Sequence, residues 1–359
     1  VGVFLAQGSV GRTTLSCDDG RTWILNRSYD QEGSAEACGE VDEVVCFQAG
    51  SPCSYFHAQD ELCKEMTDSC DCDHHPGADK GIVFGAERFV ATWGWGPPGA
   101  VKTSQDGVDW QIVVDKVTYA GIAFGNGTFV TGARQPKVST DGLVWTNGGP
   151  ADFRNAADQV IHNARDVGFA DTQGGVFVAG ASSNGVGSDL LVSRDNGASW
   201  TRPAGSWECG GDFTGVAGGN DVIVVTFGDK SCRSTDGGTS FAPTSLAGAV
   251  AVLFDGTQFV AWSSTQRFTS SDGGTWTATP LVIQGLGAGR SFTPGPVARS
   301  AETGTYVSVR SGWGQWYAQQ DFYRSTDGVT WEVLPAESFE ASHRIRHIAF
   351  GYVDASVCE

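Results

Sequence analysis

The chain has 359 residues, of which 50 are Gly and one is Met, and a formal net charge of −18 at a sequence pI near 4.6. Its summed field repels phosphate backbones and anionic head groups, which excludes nucleic acid as a partner. No stretch approaches the ~18 consecutive apolar residues of a membrane helix, which argues against membrane insertion.

Apolar residues come in short runs separated by Gly-rich turns, so the expectation is an all-β chain of many short strands. It opens directly in a strand-like segment, VGVFLAQ, without a charged n-region or cleavage site. Ten cysteines, an even number, suggest a disulfide framework and therefore an oxidising compartment. The expectation is an exported protein, extracellular or at the cell surface, with its signal peptide absent from this chain.

A repeat follows the first strand and recurs to the end. Ser-x-Asp-x-Gly-x-Thr-Trp, or a form one residue shorter, occurs seven times: SCDDGRTW at Ser16, SQDGVDW at Ser104, STDGLVW at Ser139, SRDNGASW at Ser193, STDGGTSF at Ser234, SSDGGTW at Ser270 and STDGVTW at Ser325. The Asp ties a hairpin turn through backbone N–H groups, the Gly takes a left-handed dihedral, and the Trp packs between sheets. Asp18, Asp106, Asp141, Asp195, Asp236, Asp272 and Asp327 are accordingly read as structural.

A strand-turn-strand phrase precedes most of these boxes: GIVFGAERFVATW from Gly81, GIAFGNGTFVTG from Gly121, DVGFADTQGGVFVAG from Asp166 and AVLFDGTQFVAW from Ala251. Strands A, B and C, the box and strand D make one blade. The first box lacks a strand A before it, and the last such phrase, HIAFG at His347, lacks a box after it. The expectation is a seven-bladed β-propeller closed by N- and C-terminal strands in one shared blade. Residues 1–26 supply its outer strands and 346–359 its inner strand, 80–345 make six complete blades, and 27–79 form a Cys-rich acidic insertion on the top face.

On these repeats the chain resembles the Asp-box (BNR-repeat) propellers, which include sialidases, the sortilin ectodomain and xyloglucan-cleaving glycosidases. The resemblance covers nearly all of the chain except 27–79. It implies the fold and leaves the activity open, because those relatives differ in function. The Phe/Tyr-Arg-Ile-Pro phrase of sialidases is missing.

Antiparallel strand order sends all boxes to one end, the bottom, and the B-to-C loops and D-to-A crossovers to the top. Cys17 and Cys358 then both lie at the bottom of the shared blade and can bridge; Cys209 and Cys232 belong to one blade and form a second candidate pair. Cys38, Cys46, Cys53, Cys63, Cys70 and Cys72 fall in the insertion, where bridges substitute for a core. The spacing of these six matches no standard zinc knuckle. The insertion has thirteen acidic residues against Arg27 and Lys64; DCD at Asp71 is a weaker calcium candidate, a solvated acidic face being the alternative.

Six of the twelve Trp residues belong to boxes and Trp262 to a strand, leaving Trp93, Trp95, Trp207, Trp313 and Trp316 for the top, with Tyr317 adjacent. Aromatic planes of this kind stack on sugar rings, or else pack beneath the insertion. His74, His75, His162, His343 and His347 also map to top segments, and HNARDVGF and HRIRHIAF put Arg165 and Arg346 at matching positions. Such a cluster can ligate copper or zinc, act as general base beside Arg, or simply hydrogen-bond in loops. Asn26 and Asn126 head N-x-S/T sequons.

The leading expectation is a secreted propeller that recognises a glycan or other extracellular ligand on its top face, with processing of that glycan and enzyme status both left open. The alternatives are a Cu- or Zn-binding propeller using the histidines, and a non-catalytic surface or assembly protein.

Overall fold

The computed structural model describes residues 1–8, 13–26, 79–93, 100–114, 121–133, 135–152, 164–181, 190–287, 291–310, 322–334 and 345–359. Its strands form seven sheets, the blades of a β-propeller, with only short 3-10 turns among the described helices. The chain divides into two compact units, Val1–Tyr119 with Ala298–Arg324 and Val333–Glu359, and Ala120–Val297 with Ser325–Glu332.

In the first unit, strands Gly2–Gly8, Thr13–Ser16, Ile24–Asn26 and Ile345–Tyr352 make one antiparallel sheet in which the C-terminal strand forms one edge, paired with the N-terminal strand. This is the split blade. Alternation along Gly2–Gly8 sends Phe4 and Ala6 one way and Val3 and Leu5 the other. Phe4 and Ala6 pack with Val307, Val309, Phe322 and Trp23, while Val3 and Leu5 pack with Ile82, Phe89, Ala91 and Trp110 of the next blade, 79–114. A disulfide joins Cys17 to Cys358, and the Val1 ammonium donates to the Val353 carbonyl at 2.8 Å.

In the second unit, blades 122–147, 213–243 and 251–280 each have four strands. Blade 164–193 has three, because its fourth strand is reduced to one bridge, Val192 to Thr201, before Pro203 ends the pairing. A second disulfide joins Cys209 to Cys232 in a core with Phe227, Phe241 and Leu190. The remaining blade gains a strand: Val282–Gln284 lies parallel to Thr330–Val333, outside the repeat pattern.

Every blade turns on the same buried hydroxyl. The Ser16, Ser104, Ser139, Ser193, Ser234, Ser270 and Ser325 side chains each donate to Oδ1 of the box Asp at 2.7–3.0 Å. In six of the boxes the Ser Oγ in turn accepts the N–H of Gly20, Gly107, Gly142, Gly197, Gly238 or Gly328. These glycines have φ between +71° and +84°, a region costly for residues with a Cβ.

The two box lengths finish the turn differently. In the longer form, a hydroxyl of Thr22, Ser199 or Ser240 donates to Oδ2 of the box Asp. In the shorter form, Nε1 of Trp110, Trp145, Trp276 or Trp331 donates to the Gly carbonyl three residues back. Trp23 and Trp200, in longer boxes, bury Nε1 with no acceptor among the described residues, and the third longer box has Phe241 instead. Trp200→Phe is therefore expected to leave chemical-denaturant stability within about 0.5 kcal/mol, while Trp276→Phe loses a net hydrogen bond of about 1 kcal/mol; urea unfolding of both variants checks it.

Six of the box carboxylates are held in their charged form. For Asp236, burial raises the pKa, but hydrogen bonds from Ser240 and Ser234 outweigh it and bring it to about 2. Backbone N–H groups of Thr275 and Gly274 do the same for Asp272, also to about 2. Asp18, Asp141, Asp195 and Asp327 are lowered as well. A depressed folded pKa adds stability that is complete above the unfolded value near 4 and is lost as pH falls through the folded value. Stability should fall between about pH 4 and about pH 2, and Asp236→Asn should lower it at neutral pH while flattening that acid limb in denaturant titrations.

Candidate ligand site at the end of the split blade

The end of each blade opposite the box carries one row of residues spanning strands A, B and C. Counting three residues back from the box Ser gives the strand C member and its registered partner on strand B: Thr13 with Gln7, Val101 with Thr92, Leu190 with Gly180, Ser231 with Thr226 and Arg267 with Trp262. The strand A member is His347 beside Gln7, and Gly81, Asp166, Gly215 and Ala251 in the other four blades.

Three polar members of this row are satisfied within the protein, whereas Arg267 Nε is buried with no hydrogen-bond partner among the described residues. Thr226 Oγ1 accepts from Thr214 Oγ1 at 2.9 Å, and Ser231 Oγ donates to the Leu246 carbonyl at 2.8 Å. Trp262 Nε1 donates to the Gly328 carbonyl at 2.8 Å. In the split blade Gln7 and Thr13 are fully buried, and among the described residues neither the Gln7 amide N and O nor the Thr13 hydroxyl has a hydrogen-bond partner.

The direction of the row follows from strand alternation. Leu5, Leu15 and Ala349, two residues on along the three strands, pack against Ile82, Phe89, Ala91 and Ala100 of blade 79–114. Gln7, Thr13 and His347 therefore continue the same face, and Thr13 stands in register with Asn26. His347 is partly exposed where Gln7 and Thr13 are buried, so the row runs from an accessible imidazole inward to an amide and a hydroxyl. Blade 79–114 adds a buried cation to this layer, Lys102, whose Nζ lies 4.3 Å from the centroid of the Trp110 ring.

The chemistry on offer is a donor and an acceptor from one amide, a hydroxyl that does both, and an imidazole. An unmatched amide in a dry layer strongly favours any group that pairs with it, because the alternative is a polar atom removed from water with nothing in return.

Of the residues singled out in the sequence, His347 and Arg346 lie in the strand Ile345–Tyr352 and Arg165 in Ala164–Ala170. Trp93 is the last residue of Arg88–Trp93, in register with Ala100 and Asp79, and Trp207 lies in the 3-10 turn Ser206–Glu208 directly before Cys209. Trp95, Trp313, Trp316, Tyr317, His74, His75, His162, His343, Cys38, Cys46, Cys53, Cys63, Cys70 and Cys72 lie outside the described residues. Among the described residues no group of three His, Cys, Asp or Glu side chains gathers as a metal would require. Glu208 and Asp212 are both exposed.

Gln7 and Thr13 were legible only by aligning the blades on the box Ser. On that alignment VFLAQG places a long amide where its counterparts carry Thr92, Gly180, Thr226 and Trp262.

No protein-family model and no curated protein matches the chain. Solved structures do. A chain of a nidogen/laminin complex is similar at 9% identity, covering 98% of this chain and 99% of its own, with a TM-score of 0.48. YCF48 bound to D1 peptide is similar at 17% identity over 72% of this chain and 82% of its own, with a TM-score of 0.45. A variant of the Aleuria aurantia lectin AAL in complex with Fucalpha1-6GlcNAc is similar at 11% identity over 72% of this chain and 96% of its own, with a TM-score of 0.42.

Proposed function

We propose that this chain is an extracellular propeller of the Asp-box type that recognises a glycan, and that the row His347, Gln7 and Thr13 at the end of the split blade reads the hydroxyl groups of one sugar. The observation that carries the reading is the buried Gln7 amide, both of whose polar atoms lack a partner among the described residues, beside a Thr13 hydroxyl that lacks one as well. A sugar carries vicinal hydroxyls that each donate and accept, the pattern that an amide and a hydroxyl side by side complement. The Ser-Asp-Gly turns in all seven blades support the Asp-box affiliation. The two disulfides support an oxidising compartment.

Recognition and folding should part company here. Gln7→Leu combined with Thr13→Val removes the unpaired groups without emptying the layer, so stability should rise by about 1–3 kcal/mol. The same change should abolish retention of the protein on the glycans that hold the wild type on an array. A double variant that retains wild-type glycan binding, or a wild type that binds no glycan, overturns the reading.

A further inference from the structure

Three Asn-Gly pairs lie among the described residues, at 126–127, 147–148 and 196–197. Asn-Gly is the dipeptide in which the following backbone nitrogen most easily attacks the side-chain amide, because Gly puts no Cβ in its path. Whether it does so depends on what that nitrogen is bonded to.

Two of the three are guarded. Gly197 N–H donates to the Ser193 hydroxyl at 2.8 Å inside its box, and Gly148 N–H donates to the Pro136 carbonyl at 2.8 Å. Asn147 is also held by its side chain, whose Oδ1 accepts from Lys137 Nζ at 2.7 Å. Gly127 is different: its N–H has no acceptor among the described residues, and nothing lies within 4 Å of where its Cβ would be. Asn126 and Gly127 form the exposed two-residue tip of a hairpin, with φ of +47° and +67°.

Asn126 is also a fastener. Its Nδ2 donates to the Gly174 carbonyl at 2.9 Å, in the corresponding turn of the next blade. Gln173 repeats the contact onto the Asp221 carbonyl at 2.8 Å and Asn220 onto the Thr257 carbonyl at 3.4 Å. All three latching residues sit at positive φ, which aims the side chain sideways at the neighbouring turn. Gln173, like Asn126, is followed by Gly, but its amide is one methylene longer, and Asn220 is followed by Asp221, so only Asn126 combines a latching Asn with a following Gly.

We propose that Asn126 is a site of spontaneous deamidation that releases this latch. Gly127 N bonds to Cγ of Asn126, the Cγ–Nδ2 bond breaks, and ammonia leaves with the proton from Gly127. Water then opens the cyclic imide at one of its two carbonyls, giving aspartate or isoaspartate. Either product replaces the Nδ2 donor by a carboxylate facing the Gly174 carbonyl oxygen, so an attraction becomes a repulsion between two acceptors.

The test is peptide mapping by mass spectrometry of the intact folded protein aged at mildly alkaline pH, which favours the attacking nitrogen, with thermal melting followed in parallel. The acid form and its isoaspartyl isomer should accumulate in the peptide containing Asn126 ahead of those containing Asn147 and Asn196, with a falling Tm. Asn126→Gln, whose longer amide is out of reach of Gly127, should keep its Tm on ageing, and Asn126→Asp should start at the lowered Tm. Acid appearing first at Asn147 or Asn196, an Asn126 peptide that stays unchanged, or a glycan carried on Asn126 Nδ2 would each overturn the proposal.

Discussion

A serine hydroxyl shut away from water at the end of each blade must both give and receive a hydrogen bond, and the rest of the turn is the set of groups that lets it. The box Asp accepts from it, and in six boxes a Gly N–H supplies its donor. Once the carboxylate is fixed there, it also collects the backbone N–H groups that the hairpin leaves over. The turn then becomes a rigid object that other blades can grip. Arg194 Nε donates to the Gly237 carbonyl of the next box, and Arg233 Nη1 to the Asp272 carbonyl of the one after that. In the split blade Arg324 does the same to the Asp19 carbonyl and adds an ion pair to its carboxylate at 2.7 Å. Burial raises the Asp19 pKa, and the Thr305, Thr303 and Arg324 hydrogen bonds reverse it and keep the carboxylate charged.

Much of this was readable from seven aligned boxes. A repeated Ser-x-Asp with Gly close behind constrains a backbone, so periodicity alone leads to blades, their number and the shared first blade. The Cys17–Cys358 bridge follows from the same ordering of turns. Harder to see were departures from the repeat. The lost fourth strand near Thr201 and the added parallel strand Val282–Gln284 depend on pairing between segments whose sequences are not marked by any motif. The Nε1 bonds of the shorter boxes are another case, since a Trp in either box length looks alike until the turn length decides where the indole lands.

The candidate site illustrates a further limit. Aromatic and histidine residues announce themselves in a sequence, and they directed the search to the top of the split blade and its neighbours. Gln7 does not announce itself, because a Gln in a strand is unremarkable unless its burial and lack of partners are known. Of the earlier candidates, His347 is the one that stands in register with it. A strand B position that is Gly, Thr or Trp in the four other aligned blades is an amide here, flanked by a hydroxyl and an imidazole, and only the comparison among blades makes that substitution visible.

The bridge between Cys17 and Cys358 closes 341 residues of sequence separation into one covalent loop. A protease that cuts any single exposed turn inside that loop opens a circle into a line, and the two new ends still belong to one molecule. Sheets on either side of the cut remain tethered through the split blade, so a nicked chain can re-form its contacts without a bimolecular search. The bridged chain thereby tolerates a first cut that would divide an unbridged chain in two.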